Sequence, residues 1–499
     1  MELKIVTNSE FMPDFMDIVR AFSPSVVIDE NEEKNIIYID IVNDAVTLKF
    51  KEKTIKNRCY LQNLSQVKQK SEIKRLAKIM LYDILSELTN ITLPYGSLTG
   101  IRPTKLYHEL QESGKDAYSY FTDYLRVPEQ SAKWIGNICD NQKGIYTHNP
   151  KQVDFFVNIP ICVTRCSYCS FISAELGRIK KWIEPYVAQL VREIKHAISL
   201  VENLGVQIRS IYVGGGTPTS LSEKDVEKII VELGKIKCNE FTVEAGRPDT
   251  ITREKLQIMA DNGVTRISIN PQTFNDKTLA AIGRNHTKED IFNVYNMARE
   301  FDFDINMDLI AMLPGESFED FKYSVDKAIN LNPDNITVHT LAIKKGSNLK
   351  LAEYDNKIEL LPEKMIEYSR NAIISAGYLP YYMYRQKYMS GNLDNTGYAK
   401  QGKACVYNID IMEETHSIIA CGAGAISKRI WGEENRLERL ANPKGIDVYL
   451  EREDIILKSK QEFFEDLVWL RVLGRFWILI VTLIENKWAV YCLILQKIK

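Results

Sequence analysis

Three cysteines lie close together near the middle of the chain, at Cys162, Cys166 and Cys169. Their spacing, C-x3-C-x2-C, is too tight for a closed zinc site and lacks the fourth cysteine or nearby histidine that such a site needs. Three thiolates would leave one iron of a cubic iron-sulfur cluster with a free coordination position, as in an open catalytic metal site. The spacing therefore predicts a reactive cluster, and three unrelated buried thiols are the weaker alternative.

The segment that must position these cysteines alternates short apolar runs with amphipathic helices. The predicted strands are 155–159, 208–213, 241–244, 266–270, 304–310 and 335–341. Helix starts of the form S/T-x-x-D lie between them, at Ser222, Thr287 and Ser317. Six β/α units in series predict an α/β protein in which a parallel sheet curls into an open or partial (β/α)6 barrel over residues 151–345.

Polar residues and glycines stand where the predicted strands end. The cysteines follow the first strand, Gly214-Gly-Gly-Thr-Pro-Thr219 follows the second, Glu244 ends the third, Gln272 follows the fourth and Asp308 lies near the end of the fifth. In a β/α barrel the active site lies at the carboxyl ends of the strands. We therefore expect these residues to meet on one rim.

Each rim residue also has an ordinary explanation. The triple glycine could be only a tight strand-to-helix turn, although a backbone without side chains also suits the close approach of a ligand. Glu244 could be a solvated carboxylate and Arg284 a surface cation. In a cofactor site the first would accept from an ammonium or ribose hydroxyl, and the second would pair with a carboxylate. His286 and His339 have no evident partner and are expected to be structural.

Composition and charge exclude several classes of protein. The chain has 499 residues, of which 45% are hydrophobic and 26% charged, as in an ordinary folded protein. Lys and Arg number 64 against 66 Asp and Glu, and this balance argues against an electrostatic nucleic-acid binder. Nine cysteines, an odd number, and no amino-terminal apolar signal segment indicate the reducing cytoplasm.

Residues 1–150 are predicted to form an N-terminal α+β domain that packs against the barrel or gates its substrate. Apolar runs at 36–42 and 45–50, joined at Asn43-Asp44, predict a β-hairpin, and 68–89 has helical periodicity. The segment from Gly96 to Lys105 is punctuated by Gly and Pro. Its Arg102 and Lys105 could bind an anionic ligand, and a surface turn is an equal alternative.

Residues 346–499 are predicted to form a mixed, mainly helical region that covers the substrate. Residues 378–387 are densely aromatic and end with basic residues, which suits either packing on the open side of the barrel or contact with a large, flat anion. A strand ending in a glycine turn is expected at 416–425. Residues 468–495 are apolar but interrupted by charges, so we expect a docked helix and no stable membrane insertion, with weak membrane association as the alternative.

Over residues 150–430 the chain resembles the oxygen-independent coproporphyrinogen III oxidase family of radical S-adenosylmethionine (SAM) enzymes. Glu244 and Asp308 contribute to this resemblance, together with five motifs: Asn158-Ile-Pro-Ile-Cys162, Gly214-Gly-Gly-Thr-Pro-Thr219, Asn270-Pro-Gln-Thr273, Ile282-Gly-Arg284 and Leu313-Pro-Gly315. Segments 96–105, 243–249 and 384–387 are similar to the HemZ-type subgroup of that family.

The resemblance implies a [4Fe-4S] cluster held by the three cysteines, with S-adenosylmethionine on its free iron. Arg385 and Lys387 are expected to bind substrate, because propionates in a partly dry site need cations. No catalytic side chain is expected beyond the cluster and its cofactor. The residues that should contact the cofactor, by motif position, are Phe156, Tyr168, Gly216, Thr217, Glu244, Gln272, Arg284 and Asp308.

The activity that the resemblance implies is oxidative decarboxylation of two propionates of a tetrapyrrole, coproporphyrinogen III, to the vinyl groups of protoporphyrinogen IX in haem biosynthesis. An adenosyl radical would take a hydrogen from each propionate β-carbon, carbon dioxide would leave, and an acceptor would remove the remaining electron. Flavodoxin or ferredoxin would supply the reducing electron.

The best-studied branch of this family has Tyr and His where this chain has Phe156 and Asn158, and a further Cys where it has Ser170-Phe171. The last feature is shared with related haem chaperones, so haem delivery without decarboxylation is the alternative.

Overall fold

The computed structural model describes residues 1–465 apart from 24, 63, 172, 343–346, 348, 350–360, 387–389 and 432–435. Within these residues the chain forms a five-stranded sheet near the N-terminus, an eleven-stranded sheet and a two-stranded ribbon. The large sheet and the ribbon together position the cysteine loop. The apolar segment 468–495 and Lys387 lie outside the described residues.

The N-terminal sheet has the strand order β2-β1-β3-β4-β5. Its strands are β1 Glu2–Thr7, β2 Val27–Ile28, β3 Ile36–Val42, β4 Ala45–Phe50 and β5 Lys53–Arg58. The predicted hairpin of β3 and β4 is confirmed, and Asn43 takes a left-handed φ of 55° at its turn. Helices α1 Met12–Ala21 and α2 Gln66–Thr89 pack on this sheet around a separate apolar core.

That separate core ends at Leu93, and the chain from Tyr95 to Cys139 packs into the core of the large sheet instead. This second segment holds helices α3 Pro103–Glu112, α4 Ala117–Ser119 and α5 Glu129–Asn141. The apolar cores thus divide the chain near Leu93. The predicted domain boundaries at residues 150 and 345 stay a prediction.

The large sheet has seven neighbouring parallel strands among the described residues, in the order β13-β12-β11-β10-β9-β6-β16. The six predicted strands are all confirmed, and together with the helices between them they form the predicted partial barrel. They are β6 Gln152–Ile159, β9 Gln207–Gly215, β10 Glu240–Gly246, β11 Arg266–Ile269, β12 Asp304–Ala311 and β13 Asn335–Thr340. The ribbon strands β7 Ile161–Cys162 and β8 Ala174–Glu175 flank the cysteine loop.

Helices return the chain from one strand to the next, and side-chain caps fix where several of them start. Thr287 and Ser317 form complete capping boxes with Asp290 and Asp320, and Ser222 caps its helix, as their sequence patterns predict. The helices are α6 Leu176–Leu204, α7 Glu223–Leu233, α8 Arg253–Asp261, α9 Asp276–Ala281, α10 Lys288–Ala298 and α11 Phe318–Leu331.

The C-terminal region extends the large sheet at both edges. β14 Leu379–Tyr384 and β15 Asn395–Ala399 join β13, while β16 Ser417–Cys421 lies parallel to β6 and is followed by antiparallel β17 Ile426–Trp431 and β18 Arg436–Ala441. The helices of this region are α12 Leu361–Ser375, α13 Val406–Glu413, α14 Ile446–Glu451 and a helical stretch at 453–465.

Candidate active site

The cysteine loop lies directly after β6 and contains three free thiols. Backbone hydrogen bonds fix its second half, from Ser167 N to Ile282 O at 3.1 Å and from Cys169 N to Cys166 O at 3.1 Å. The Thr217 hydroxyl lies 3.6 Å from Cys162 Sγ. Burial raises the pKa of the Cys162 and Cys169 thiols, so a metal cluster must displace their protons when it binds.

A buried cation holds the middle of the loop, and the sequence analysis missed it. Arg247 Nη1 donates to Thr164 Oγ1 at 2.7 Å, and the same guanidinium forms a two-pronged contact with Asp249 at 3.0 and 2.8 Å. His286 Nδ1 lies 3.5 Å from Asp249. His286 therefore lies beside a carboxylate that the sequence did not indicate, because the loop after β10 brings Asp249 there, and neither ring nitrogen forms a hydrogen bond with a described residue. The signal was present in the HemZ-type segment 243–249.

The glycine turn allows close packing against the start of this loop. Gly215 has a φ of +106°, and a Cβ there would lie 2.0 Å from Asn158 Oδ1. A Cβ on Gly214 would lie 2.7 Å from Glu244 Oε2, so this glycine leaves room for the Glu244 carboxyl. The N–H groups of Gly216 and Thr217 donate to the carbonyls of Ile159 and Ile161, each at 2.8 Å. These amides are engaged within the protein, so cofactor contacts of Gly216 and Thr217 would use their other atoms.

Three buried polar atoms, two just after β11 and one just after α9, have no hydrogen-bond partner: Asn270 Oδ1, Gln272 Oε1 and Arg284 Nε. Arg284 Nη1 donates to the Asn270 carbonyl. Gln272 takes a strained φ of 68°, and its backbone bridges to β12 through Asp308 O at 2.9 Å and Ile310 N at 3.0 Å. Buried unpaired polar atoms are costly, so these atoms fit a bound polar group such as the amino, carboxylate or ribose groups of a cofactor.

Two carboxyl groups, those of Glu244 and Asp308, lie with the His339 imidazole inside the rim. Burial, with the nearby Asp308 charge, raises the pKa of Glu244 to about 7. Burial also acts to raise the pKa of Asp308, but His339 and the Asn306 amide, at 2.8 Å, outweigh it, so the Asp308 pKa is lowered. His339 lies 3.6 Å from Asp308 and 3.2 Å from the Tyr384 hydroxyl, so it also has partners that were not predicted.

Tyr168 lies on the loop beside Arg284, packed against the apolar residues Ile282, Ile310 and Leu313. Burial raises the pKa of the Tyr168 hydroxyl. Burial acts to lower the pKa of Arg284, yet Tyr168 and Cys166 outweigh it and the pKa is raised, so the guanidinium keeps its charge. A fixed cation next to the cysteines suits a carboxylate ligand.

Aromatic side chains fill the interior below the rim. Phe156, Tyr212 and Tyr407 form a stack, with ring centroids 4.5 Å apart for the two tyrosines and 6.0 Å apart for Phe156 and Tyr407. Tyr382 and Tyr384 stack nearby at 6.4 Å. The structure therefore places Phe156 one layer deeper than the rim residues, and its predicted cofactor contact stays a prediction.

Arg385 is engaged away from this group. Its guanidinium donates to the carbonyls of Leu98 and Asn392 and lies 4.3 Å from the centroid of the Tyr95 ring. These contacts join the end of β14 to the loop before α3. Its predicted contact with a substrate propionate stays a prediction.

The fold and the three-thiol loop define the class. Residues 158–328 match the family model described as the radical SAM superfamily. The structure of coproporphyrinogen III oxidase (HemN) from Escherichia coli, a radical SAM enzyme, aligns with a TM-score of 0.50 over 64% of this chain and 73% of that one. The two are 21% identical, so this likeness supports the fold alone.

Sequence comparison narrows the class. The chain is 36% identical over 417 residues to the oxygen-independent coproporphyrinogen-III oxidase-like protein HemZ of Bacillus subtilis (strain 168), a match that covers 79% of this chain and 82% of that protein. It is 33% identical over 215 residues to the heme chaperone HemW of the same organism, covering 42% of this chain and 55% of that one.

The chain belongs to the HemZ-type family of radical SAM proteins. Its cofactors are a [4Fe-4S] cluster and S-adenosylmethionine. Among the described helices, none is long and apolar enough to span a membrane.

Proposed function

We propose that this protein catalyses the oxidative decarboxylation of coproporphyrinogen III to protoporphyrinogen IX in oxygen-independent haem biosynthesis, in the cytoplasm. Each of the two propionates would lose one hydrogen atom, one carbon dioxide and one electron. The observation that carries the proposal is the set of unpaired buried atoms, Asn270 Oδ1, Gln272 Oε1 and Arg284 Nε, on the same rim as the three thiols. A protein that kept its cluster only as an inherited part would gain nothing from such a set.

The residues of the rim have separate roles in this proposal. Cys162, Cys166 and Cys169 hold the cluster. Arg284 pairs with the cofactor carboxylate, and Glu244 accepts from its ammonium or ribose. The bound cofactors supply a radical that abstracts hydrogen.

Other residues complete the cofactor site. Gln272 and Asp308 complete the polar lining, with Tyr168 approaching the adenine and Gly216 and Thr217 the methionyl group. The aromatic stack of Phe156, Tyr212 and Tyr407 closes the interior below and keeps water away from the reacting carbon.

Parts of the chain beyond the rim would serve the substrate and the electron supply. We propose that residues 1–150 pack against or gate the barrel and that residues 346–499 cover the tetrapyrrole, with Arg385 and Lys387 as candidate propionate ligands. A flavodoxin or ferredoxin would reduce the cluster. The net charge of −2 favours neither nucleic acid nor another polyanion as a partner for the whole surface.

A haem chaperone is the second candidate. Two observations favour it: the likeness to heme chaperone HemW, and the presence of Ser170-Phe171 after the three cysteines. Such a protein would bind haem tightly and pass it on without consuming S-adenosylmethionine in proportion to a product.

The two candidates differ in stoichiometry, which an anaerobic assay measures. Protein with a reconstituted cluster would be incubated with a reductant, an electron acceptor, S-adenosylmethionine and coproporphyrinogen III. We expect protoporphyrinogen IX with matching amounts of 5'-deoxyadenosine and methionine. Cys166→Ala should form no product, whereas Cys238→Ala, which alters a thiol outside the loop, should behave as wild type. Tight haem binding with no vinyl product would replace the enzyme with the chaperone.

A further inference from the structure

A cavity of about 300 Å³ lies between α2 and the segment that leads into α3, outside the rim described above. Helix α2 contributes Lys74, Arg75 and Lys78 to its wall, and the other side contributes Arg102 and Lys105. Three leucines also line it: Leu98, Leu106 and Leu125. The cavity thus combines five cations from two separate elements with an apolar floor.

Acidic partners neutralise these cations only in part. Lys74 pairs with Asp14 at 3.2 Å and Arg75 with Glu72. Arg102 and Lys105 share one carboxylate, Glu414, with Lys105 at 2.7 Å, and Lys105 also lies 3.8 Å from Glu109. Among the described residues Lys78 has no carboxylate within 4 Å, and its ammonium donates to the Thr99 hydroxyl instead.

Two further cations from the far edge of the large sheet crowd Glu414. Arg439 lies 3.9 Å from it, and Lys428 lies close enough to Arg102 and Lys105 for their charges to act on it. Seven cations are thus grouped around five carboxylates, Asp14, Asp17, Glu72, Glu109 and Glu414. In addition, Arg102 Nε is buried without a hydrogen-bond partner.

The unbalanced cations are partly withdrawn from water. Burial lowers the pKa of Lys78 to about 8, and burial with the Arg102 charge lowers the pKa of Lys428 to about 8. Holding such cations together costs free energy that an anion in the cavity would offset. A fold that needed only packing here would place apolar or paired side chains at these positions.

We propose that this cavity binds a small molecule that carries two or more anionic groups, carboxylate or phosphate, with its apolar part on the three leucines. The site is separate from the radical chemistry and goes beyond the proposed function. Two kinds of ligand share the required chemistry. One is a polycarboxylate such as a tetrapyrrole, of which only the propionate ends would fit this volume, and the other is an organic phosphate. A carboxylate probe and a phosphate probe distinguish them.

Titration calorimetry at low salt tests the proposal with two probes, coproporphyrin III for the carboxylates and inorganic pyrophosphate for the phosphates. Lys78→Gln and Arg102→Gln each remove one cation of the cavity, and Lys133→Gln removes an exposed cation on α5 as the matched control. We expect about tenfold or greater loss of affinity for the preferred probe in both cavity variants, the usual effect of losing a charged hydrogen bond. The control should bind as wild type does.

Proton uptake gives a second readout that packing alone would not change. Lys78 faces Asp14 and Asp17 of α1 and Lys74 and Arg75 of its own helix, besides Thr99. An anion added to this group raises the pKa of Lys78, so wild type should take up protons on binding near pH 8, and Lys78→Gln should take up fewer. Calorimetry in two buffers of different ionisation heat measures this uptake.

The titrations can support or overturn the proposed anion site. Preference for coproporphyrin III assigns the cavity to carboxylates, and preference for pyrophosphate assigns it to phosphates. Absence of binding by both probes, or equal affinity in wild type and both cavity variants, overturns the proposal. The proposed decarboxylation can fail independently, because it is scored by vinyl product and cluster content and not by this titration.

Discussion

The buried ion pair between Lys460 and Glu193 supports a sharp prediction about how the C-terminal helical stretch holds the barrel. Lys460 is 0% exposed and Glu193 is 1% exposed, with Nζ 2.7 Å from Oε1. Glu193 also accepts from Gly422 N at 2.8 Å, Asn442 Nδ2 at 2.8 Å and the Tyr449 hydroxyl at 2.6 Å. Lys460→Met would leave this carboxylate in place without its cation.

The expected loss of stability in Lys460→Met follows from the burial of the ion pair. Removing one partner of a buried pair costs about 3 to 5 kcal/mol, because the other charge stays in a poor solvent. With a urea m-value of about 3 kcal/mol per M, the unfolding midpoint should fall by about 1 to 1.7 M. Burial alone acts to raise the pKa of Glu193, and Lys460 outweighs it in wild type, so the pKa is lowered. In Lys460→Met the pKa should rise, and the carboxyl can then take up a proton. An acid whose folded pKa is raised loses stability as pH increases, so the deficit should grow as the pH rises above about 4.5, the ordinary pKa of a glutamate.

Urea unfolding followed by circular dichroism measures the effect. Lys458→Met changes a 78% exposed lysine on the same helical stretch and should shift the midpoint by less than about 0.2 M, as expected for a surface pair. The double variant Glu193→Gln with Lys460→Met removes the stranded charge and should recover most of the loss. Equal midpoints for Lys460→Met and Lys458→Met, or a double variant less stable than either single one, would refute the argument.

Four further predictions concern the rim. Cys166→Ala should abolish cluster assembly while Cys405→Ala keeps it, and iron and sulfide analysis after anaerobic reconstitution decides; a full cluster in Cys166→Ala contradicts the assignment. Arg284→Ala should weaken S-adenosylmethionine binding by about 1.5 to 3 kcal/mol with the cluster intact, as calorimetry can show, and unchanged affinity would return Arg284 to a structural role. Because the pKa of Glu244 is raised to about 7, a bound ammonium should favour its charged form. Affinity should then rise from about pH 6 to about pH 8 in wild type, and a rise of the same size in Glu244→Gln would count against this contact. Gly215→Ala should lower both stability and cluster content, since its φ of +106° and the 2.0 Å approach to Asn158 exclude a Cβ; a wild-type unfolding midpoint would show that the turn relaxes.

Local signals account for the parts of the fold that could be predicted. The capping boxes at Thr287 and Ser317, the hairpin at Asn43 and the six strands of the barrel each depend on residues near one another in the chain. Their order in the sheet follows from right-handed crossovers between successive strands. The rim residues were then located because strand ends of a parallel sheet lie on one edge.

Contacts between distant segments account for what was missed. The strand β16 was expected, but nothing in its sequence indicated that it would pair with β6, more than 200 residues earlier. The partners of His339 and His286 are not evident from the sequence, because Asp308 lies on the neighbouring strand β12 and Asp249 lies in the loop after β10, more than 30 residues away in each case. Arg385 was expected at the substrate because of its aromatic, basic neighbours, whereas its nearest acceptors are carbonyls of Leu98 and Asn392.

Asn158 connects the turn after β16, the seventh parallel strand, to the segment that leads into the cysteine loop. Its amide donates to the Ala423 carbonyl after β16, its Oδ1 packs on Gly215, and its own carbonyl lies where a Cβ on Gly422 would approach to 2.1 Å. Two glycine turns from opposite sides therefore converge on one residue, four positions before Cys162. One layer below, Phe156 closes the stack with Tyr212 and Tyr407. Two of the three departures from the best-studied branch, Asn158 and Phe156, thus make contacts inside the fold, Asn158 with the two glycine turns and Phe156 with the tyrosine stack.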